Sequence, residues 1–201
     1  MKSLFAKLAL VSSFLFASLS SYADTYEEQA AALLNPLLSS IPNLTGDAIG
    51  ARITQVLTGD TGSQTIVITD GLSARLGGVS LSPIGATVTF TMNQFEVVPA
   101  SDNTESVYAT GVVNGRFGYN LLTQKISLAL DSADYGPVVY TGGQLSGTTV
   151  EFNNLGIVVN TSQYIPFWEE PVTVKGAVKV NGVSIPLEEL IKLIGLIKDF
   201  S

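Results

Sequence analysis

The chain contains no cysteine and no histidine among its 201 residues. Without cysteine it forms no disulfide, so core packing alone must hold the fold. Without histidine, Ser-His-Asp and Cys-His catalysis are excluded, and so are zinc, copper and haem sites built on histidine. The chemistry that these absences leave is Lys-assisted serine chemistry, paired carboxylates and calcium sites with oxygen ligands.

Charged residues are also scarce, at 13% of the chain against about 25% in typical soluble domains. The 10 basic and 17 acidic residues give a formal net charge of −7. An acidic surface without a Lys or Arg cluster repels phosphate backbones, which excludes nucleic-acid binding and disfavours anionic lipid. Ser, Thr, Asn and Gly take the place of charge. Such a surface suits packing against a neighbour, because ion pairs lose hydration at a contact.

The apolar run at the N-terminus is too short to span a bilayer, which needs about 20 residues. Lys2 and Lys7 form a positive start, an apolar stretch follows over residues 8–19, and residues 21–23 place small side chains at both peptidase positions. This pattern predicts a cleavable signal peptide over residues 1–23. We therefore expect an exported protein at the cell surface or outside the cell, with the periplasm as the alternative.

The chain after residue 23 opens with a helical pattern over residues 24–60. Thr25 and Glu28 are spaced as a capping box, in which each side chain accepts a hydrogen bond from an N–H of the first helical turn. Pro36 is expected to break or restart this helix. A second short helix is predicted over residues 47–57, so the sequence predicts two N-terminal helices.

From Gln64 onward, apolar residues recur at every second position rather than at helical spacing. This alternation predicts strands over residues 64–185. In the longest strand the apolar phase slips near residues 93–94, which indicates a bulge or a turn. The predicted strands cover residues 65–69, 86–98, 106–113, 116–121, 125–131, 138–141, 148–152, 156–160 and 172–180.

Four short motifs predict turns between these strands. The Asn-Gly pairs at residues 114–115 and 181–182 have the favoured chemistry of a two-residue hairpin, which needs positive φ at both positions. The Gly-Gly pairs at residues 77–78 and 142–143 lack the strand–loop–helix setting of a phosphate-binding loop, so they are also predicted to be turns. Such short connections favour an antiparallel meander.

The last element is a predicted helix over residues 186–199, with apolar side chains over more than half of its circumference. Exposing them would be unfavourable by about 25 cal/mol per Å², so this helix is expected to be buried. The predicted fold is α+β and β-rich: one domain over residues 24–201, with a mostly antiparallel sheet or sandwich. Its expected core comprises Leu33, Leu37, Ile53, Val88, Phe90, Phe117, Ile126, Leu128, Phe152, Val174, Leu190 and Ile194.

The most unusual segment lies between two prolines and holds the only tryptophan of the chain. Tyr164, Phe167 and Trp168 are the residues predicted to contact a partner protein or a ligand, as aromatic anchors do at interfaces. The alternative is structural: these aromatics close one end of the sheet, with Glu169 and Glu170 in water.

Of the catalytic chemistries that the composition leaves, paired carboxylates are the only plausible one. The candidate pairs that could flank a glycosidic bond are Asp131 with Asp134, Glu169 with Glu170, or Glu151 with one of these four acids. That mechanism needs one carboxyl group with a raised pKa and another kept ionised at a defined separation, and the sequence shows neither condition. Residues 102–105 and 131–134 are rich in oxygen ligands suited to calcium. Because Asp, Asn and Ser are also ordinary turn formers, the turn interpretation is favoured. No catalytic residue, no resident metal and no cofactor are predicted, with calcium as the one metal candidate.

The leading functional hypothesis is an exported, non-catalytic protein that acts by contact, as a cell-surface, matrix or fibre subunit or an adhesive module. Its partners would be other protein subunits, copies of itself, or else lipid or glycan, with no transmembrane segment after cleavage. The first alternative is a periplasmic carrier or chaperone for a lipid or another apolar ligand. The weaker alternative is a carboxylate-dependent glycan hydrolase.

Overall fold

A computed structural model describes residues 25–43, 64–81, 84–98, 105–120, 122–160 and 172–188. This part of the chain is β-rich and mostly antiparallel, as the sequence predicts. It contains one α-helix, and neither the second N-terminal helix nor the C-terminal helix of the prediction is shown. The elements in chain order are α1 (Tyr26–Asn43), β1 (Gln64–Thr69), β2 (Leu72–Leu81), β3 (Ile84–Val98), β4 (Val107–Asn120), β5 (Lys125–Asp131), β6 (Val138–Thr141), β7 (Thr149–Asn160), β8 (Val172–Val180) and β9 (Val183–Ser184).

The helix α1 begins at the predicted capping box. The Thr25 backbone N–H donates to Glu28 Oε2 at 3.1 Å, and the Glu28 N–H donates to Thr25 Oγ1 at 3.3 Å. The prediction that Pro36 breaks the helix is wrong, because α1 continues through it to Asn43. An interior proline destabilises a helix by about 3 kcal/mol, whereas each buried leucine contributes about 1.5–3 kcal/mol. Four leucines of α1 are buried on either side of this position, which outweighs the proline: Leu33, Leu34, Leu37 and Leu38.

The middle of helix α1 is buried around its full circumference. Five consecutive residues, from Ala30 to Leu34, are buried. Successive helical residues differ by about 100° around the axis, so five of them cover the full circumference. The helix packs against both β3 and β8, which have three rows of strands between them in the sheet. The middle of α1 is therefore internal, and strands from two separate parts of the sheet pack against the helix.

All nine described strands form one antiparallel sheet, with the order β1-β2-β3-β4-β5-β7-β8-β9. The short strand β6 pairs with β4 and β7, the same two strands that flank β5. Thus β5 and β6 share one row of the sheet, and residues 132–137 leave that row between them. The two outer strands of the sheet are β1 and β9.

Several strand predictions are confirmed, with bounds that agree fully for β5, β6 and β8. The predicted slip at residues 93–94 is a bulge, because the register of β3 against β4 shifts between Met92 and Phe95. The hairpin at Asn181-Gly182 is also confirmed, with φ of 51° and 79° at its two residues and Val180 opposite Val183.

Three local predictions are wrong because the strands continue through the predicted breaks, in two cases with a bulge. Asn114-Gly115 is not a hairpin but lies within β4, where Gly115 pairs with Val88 and Leu130. Gly77-Gly78 is not a turn but a bulge within β2, a strand absent from the predicted set. The predicted strands 148–152 and 156–160 are one strand, β7, whose register against β8 shifts between Asn153 and Gly156.

The core lies between α1 and the inner face of the sheet. Among the predicted core residues, Ile126 and Val174 are only partly buried. The fully buried Tyr140 on β6 joins the helix to the sheet, because its hydroxyl donates to the backbone oxygen of Gln29 at 2.6 Å. Burial raises the pKa of Tyr140 well above its ordinary range. The predicted core residues confirmed as buried are Leu33, Leu37, Val88, Phe90, Phe117, Leu128 and Phe152.

Several predicted elements lie outside the described residues. They are the signal peptide over residues 1–23, the second helix over residues 47–57, and most of the C-terminal helix over residues 186–199, together with Ile53, Leu190 and Ile194. Three residues of that last helix are described, Pro186, Leu187 and Glu188, and of these Leu187 and Glu188 have helical conformation. None of the helical residues that are described forms a segment long and apolar enough to cross a membrane.

Candidate functional site: the two edges of the sheet

The edge strand β1 has no charged residue and no proline, with the sequence QTIVIT. Within the described part of the chain it pairs on one side only, with β2. Its outward side chains Thr65 and Val67 are exposed, and Val67 is 76% exposed. An edge strand presents a row of backbone N–H and C=O groups, and charge or proline is the usual means of blocking it. The strand β1 uses neither.

A tight hairpin attaches β1 to the sheet. Asp70 and Gly71 connect Thr69 to Leu72, with φ of 72° at Gly71. A Cβ atom at Gly71 would lie 2.7 Å from the Cα of Phe95, so the turn requires glycine. The register of β1 against β2 shifts once, between Val67 and Thr69. The regular part of the edge is therefore residues 64–67, and the bulge lies beside the turn.

The opposite edge is built differently. Its last strand, β9, has only two residues, which pair with Lys179 and Val180 of β8. The strand β8 carries Lys175 and Lys179, and it faces the bulge of β7. At Gly176, φ is 89° and a Cβ atom would lie 2.2 Å from the backbone oxygen of Asn154. Short length, lysine and a bulge are three ways in which natural sheets prevent edge pairing.

A polar row crosses the outer face next to β1. Paired positions on successive strands place Thr65, Arg75, Thr89, Asn114 and Asp131 side by side. The Thr89 hydroxyl donates to Asn114 Oδ1 at 3.0 Å. Asn114 Nδ2 in turn donates to an Asp134 carboxylate oxygen, also at 3.0 Å. Three of the five positions in this row carry hydroxyl or amide groups, and the two charged positions are Arg75 and Asp131.

The acids at residues 131–134 act in the turn between β5 and β6. Asp131 Oδ1 accepts from the Ala133 N–H at 2.7 Å, and Asp131 Oδ2 accepts from the Asn154 N–H at 3.0 Å. The second bond ties this turn to the bulge of β7. Across the described residues, no three acidic side chains form a group that could hold a metal ion. Of the other calcium candidate, residues 102–105, only Glu105 is described.

The buried Ser132 replaces a strand partner where the row of β5 ends. Its backbone N–H donates to the Phe152 carbonyl at 2.9 Å. Its hydroxyl accepts from the Phe152 N–H at 2.9 Å and lies 3.3 Å from the Phe152 oxygen, as a donor to it. A buried backbone N–H without a partner is unfavourable by about 1–3 kcal/mol. The hydroxyl therefore completes the hydrogen bonding of β7 at this break.

The residues predicted to contact a partner, Tyr164, Phe167 and Trp168, lie outside the described residues, as do Glu169 and Glu170. Their role stays a prediction. The open edge β1 was missed as a named site because the sequence shows a strand but not its neighbours. One available signal was Asp70-Gly71, a favoured hairpin dipeptide that follows β1 and predicts pairing with β2 on one side.

Comparisons of the chain with protein-family models, with curated proteins and with solved structures found no match.

Proposed function

We propose that this chain is an exported, non-catalytic protein that acts by contact at the cell surface, as a structural or adhesive subunit, and that β1 forms the contact. The observation that carries the proposal is the difference between the sheet edges. The strand β1 presents an uncharged backbone edge with an exposed Val67. In β-strand addition, main-chain hydrogen bonds at such an edge supply affinity, and alternate side chains supply specificity.

The surroundings of β1 suit such a contact. In the polar row that begins at Thr65, hydrogen bonds join Thr89 to Asn114 and Asn114 to Asp134. Apart from Arg75, charge lies at the far end of this row. A partner strand at β1 would therefore desolvate few charged groups, and the large penalty of burying charge is avoided.

The alternatives have less support from the described residues. A carrier of apolar ligands needs an open apolar groove, whereas α1 occupies the inner face of the sheet between β3 and β8. A glycan hydrolase needs two carboxyl groups aimed at substrate, whereas Asp131 binds two backbone N–H groups and Asp134 binds Asn114. We therefore favour the contact role over the carrier and the hydrolase.

Cell fractionation tests the proposal. Cells expressing the full sequence are separated into medium, washed surface and interior fractions, and the chain is quantified in each. Wild type is expected on the washed surface. Val67→Lys is expected in the medium, because a lysine at an edge blocks strand addition.

The matched control is Leu122→Lys, which adds the same charge at a 95% exposed turn residue and is expected to behave as wild type. Equal distribution of wild type and Val67→Lys would overturn the role of β1. Retention of all three proteins inside the cell would overturn export.

A further inference from the structure

We infer that the partner of β1 is β1 of a second copy of this chain, paired antiparallel across a two-fold axis, so that two nine-stranded sheets join into one. This inference rests on the proposed contact role of β1 and identifies the partner. An antiparallel strand pair related by a two-fold axis is isologous, because each strand presents the same residues to the other.

Charge permits self-pairing at β1 and opposes it at the other edge. The strand β1 has no ionisable side chain, so two copies bring no like charges together along the seam. The nearest charged residues in the described part are Asp70, at the end of β1, and Arg75, opposite Thr65 on β2, and they have opposite signs. Two β8 strands would instead bring Lys175 and Lys179 together with the same residues of the other copy, which is unfavourable.

The alternation of side chains also fits a second copy. Ile66 pairs with the buried Ala74 and belongs to the inner face, whereas Val67 pairs with Ser73 and belongs to the outer face. Residues directly opposite in an antiparallel pair lie on the same face. A two-fold axis at Ile66 or at Val67 therefore continues the apolar inner face and the polar outer face from one copy into the other.

The difference between the edges limits the assembly to two copies. A head-to-tail contact between β1 and β8 would leave open edges at both ends and produce a filament. The two-residue β9, the lysines and the bulge at Gly176 oppose pairing at that second edge. Six residues of β1 per copy give a small interface, below the 1,200 Å² or so typical of stable complexes. The dimer is therefore concentration-dependent.

Single-cysteine cross-linking tests this inference cleanly, because the chain has no cysteine of its own. Val67→Cys is compared with Val183→Cys, which places the same substitution at a 49% exposed position on the opposite edge. The probe is a short bismaleimide, whose span covers both a direct and a diagonal pair across the seam. Val67→Cys is expected to form covalent dimers roughly tenfold faster, because opposite β-carbons lie about 5 Å apart in such a pair.

Sedimentation of uncross-linked protein over a range of concentration is the second measurement. Wild type and Leu122→Lys are expected to dimerise, and no larger species should form. Val67→Lys is expected to dimerise roughly tenfold more weakly, because it places two lysines close together at the seam.

Equal cross-linking at positions 67 and 183, or a wild-type chain that stays monomeric at every concentration, would overturn the inference. Filaments would also overturn it. The contact role of β1 would survive a monomeric result if Val67→Lys still moved the chain from the cell surface to the medium. A dimer whose wild-type form is found only in the medium would instead overturn the surface role and leave the dimer intact.

Discussion

The two edges of the sheet belong to the same fold but differ in almost every feature that controls strand pairing. At the β8 edge, a strand of two residues, two lysines and a bulge opposite Gly176 all act against addition of another strand. At the β1 edge, six uncharged residues end in a two-residue turn, and the bulge between Val67 and Thr69 lies beside that turn and leaves residues 64–67 regular. Exposed edges favour aggregation unless they are blocked or used. Among the described residues, β1 is the edge without such protection, and this difference is the basis of the proposed contact role.

The largest loss of stability is expected from a substitution in β8, at the protected edge. Gly176→Ala places a Cβ against the Asn154 backbone oxygen at a position with φ of 89°. Because the atom in contact is backbone, the β7–β8 ladder must shift, and we expect the free energy of unfolding to fall by about 3 kcal/mol. Denaturant unfolding measures this loss.

Gly182→Ala is the matched control, since Gly182 also has positive φ, at 79°, but a Cβ atom there would meet nothing within 4 Å. Its expected loss is about 1 kcal/mol. Equal losses for the two variants would show that the close approach of β7 and β8 does not constrain this edge.

Tyr140 provides a reference point in the middle of the sheet, far from both edges in strand order. Tyr140→Phe leaves the Gln29 carbonyl without the hydroxyl donor, and we expect a loss of about 2 kcal/mol at neutral pH. The pKa of Tyr140 is raised from its ordinary 10.0 by burial. Above pH 10 the unfolded chain loses this proton while the folded chain keeps it, so wild type loses stability as pH rises.

Wild type is expected to have a larger free energy of unfolding than Tyr140→Phe at neutral pH. This difference should shrink above pH 10, by up to about 1.4 kcal/mol per pH unit. Denaturant unfolding of both proteins at pH 8 and at pH values above 10 checks this. A difference that stays constant over that range would contradict burial of a neutral Tyr140.

A smaller loss of stability is expected from a substitution that affects β7, the strand next to β8. Ser132→Ala removes the hydroxyl that accepts from the Phe152 N–H on β7, and we expect a loss of about 1.5 kcal/mol in the free energy of unfolding. Ser127→Ala is the control, because the Ser127 hydroxyl makes one bond, of 3.3 Å, to the Gly118 carbonyl, which is part of a strand ladder. A smaller loss for Ser132→Ala than for Ser127→Ala would contradict the role assigned to this buried hydroxyl.

The smallest effect on stability is expected at the open edge. Val67→Thr conserves the β-branched shape at a 76% exposed position, so the free energy of unfolding should change by less than about 0.5 kcal/mol. Thermal or denaturant unfolding in dilute solution measures it. A loss as large as that of Ser132→Ala would show that Val67 is covered within its own chain, which would remove the basis of the edge contact.

The sequence predicted most of the strands, but not how they join. Alternation in residues 125–131 and 172–180 is regular, so β5 and β8 were predicted with correct bounds. Glycine and asparagine occur in turns, in bulges and within strands, so the sequence predicts breaks at residues 77–78, 114–115 and 153–156. The first and third are bulges, and the second lies in regular strand. Tertiary packing decides between these outcomes, and the same holds for Pro36 in helix α1.

The candidate site was less accessible to prediction. The pattern of β1 indicates a strand, but whether a strand lies at the edge or in the centre depends on pairing across the whole sheet. The aromatic segment with Tyr164, Phe167 and Trp168 was conspicuous in composition, whereas QTIVIT is ordinary in composition and special only in position. Composition therefore favoured the segment that the structure does not describe.

Amide hydrogen exchange, resolved for residues 64–69 and 172–178, tests the central claim most directly. The exchange of the full chain is followed in dilute and in concentrated solution. Pairing at β1 predicts that alternate amides of residues 64–69 become protected as concentration rises, because half of the N–H groups of an edge strand point away from its only neighbour. The amides of β8 should not change. Protection of β1 that is independent of concentration, or new protection confined to β8, would contradict the account.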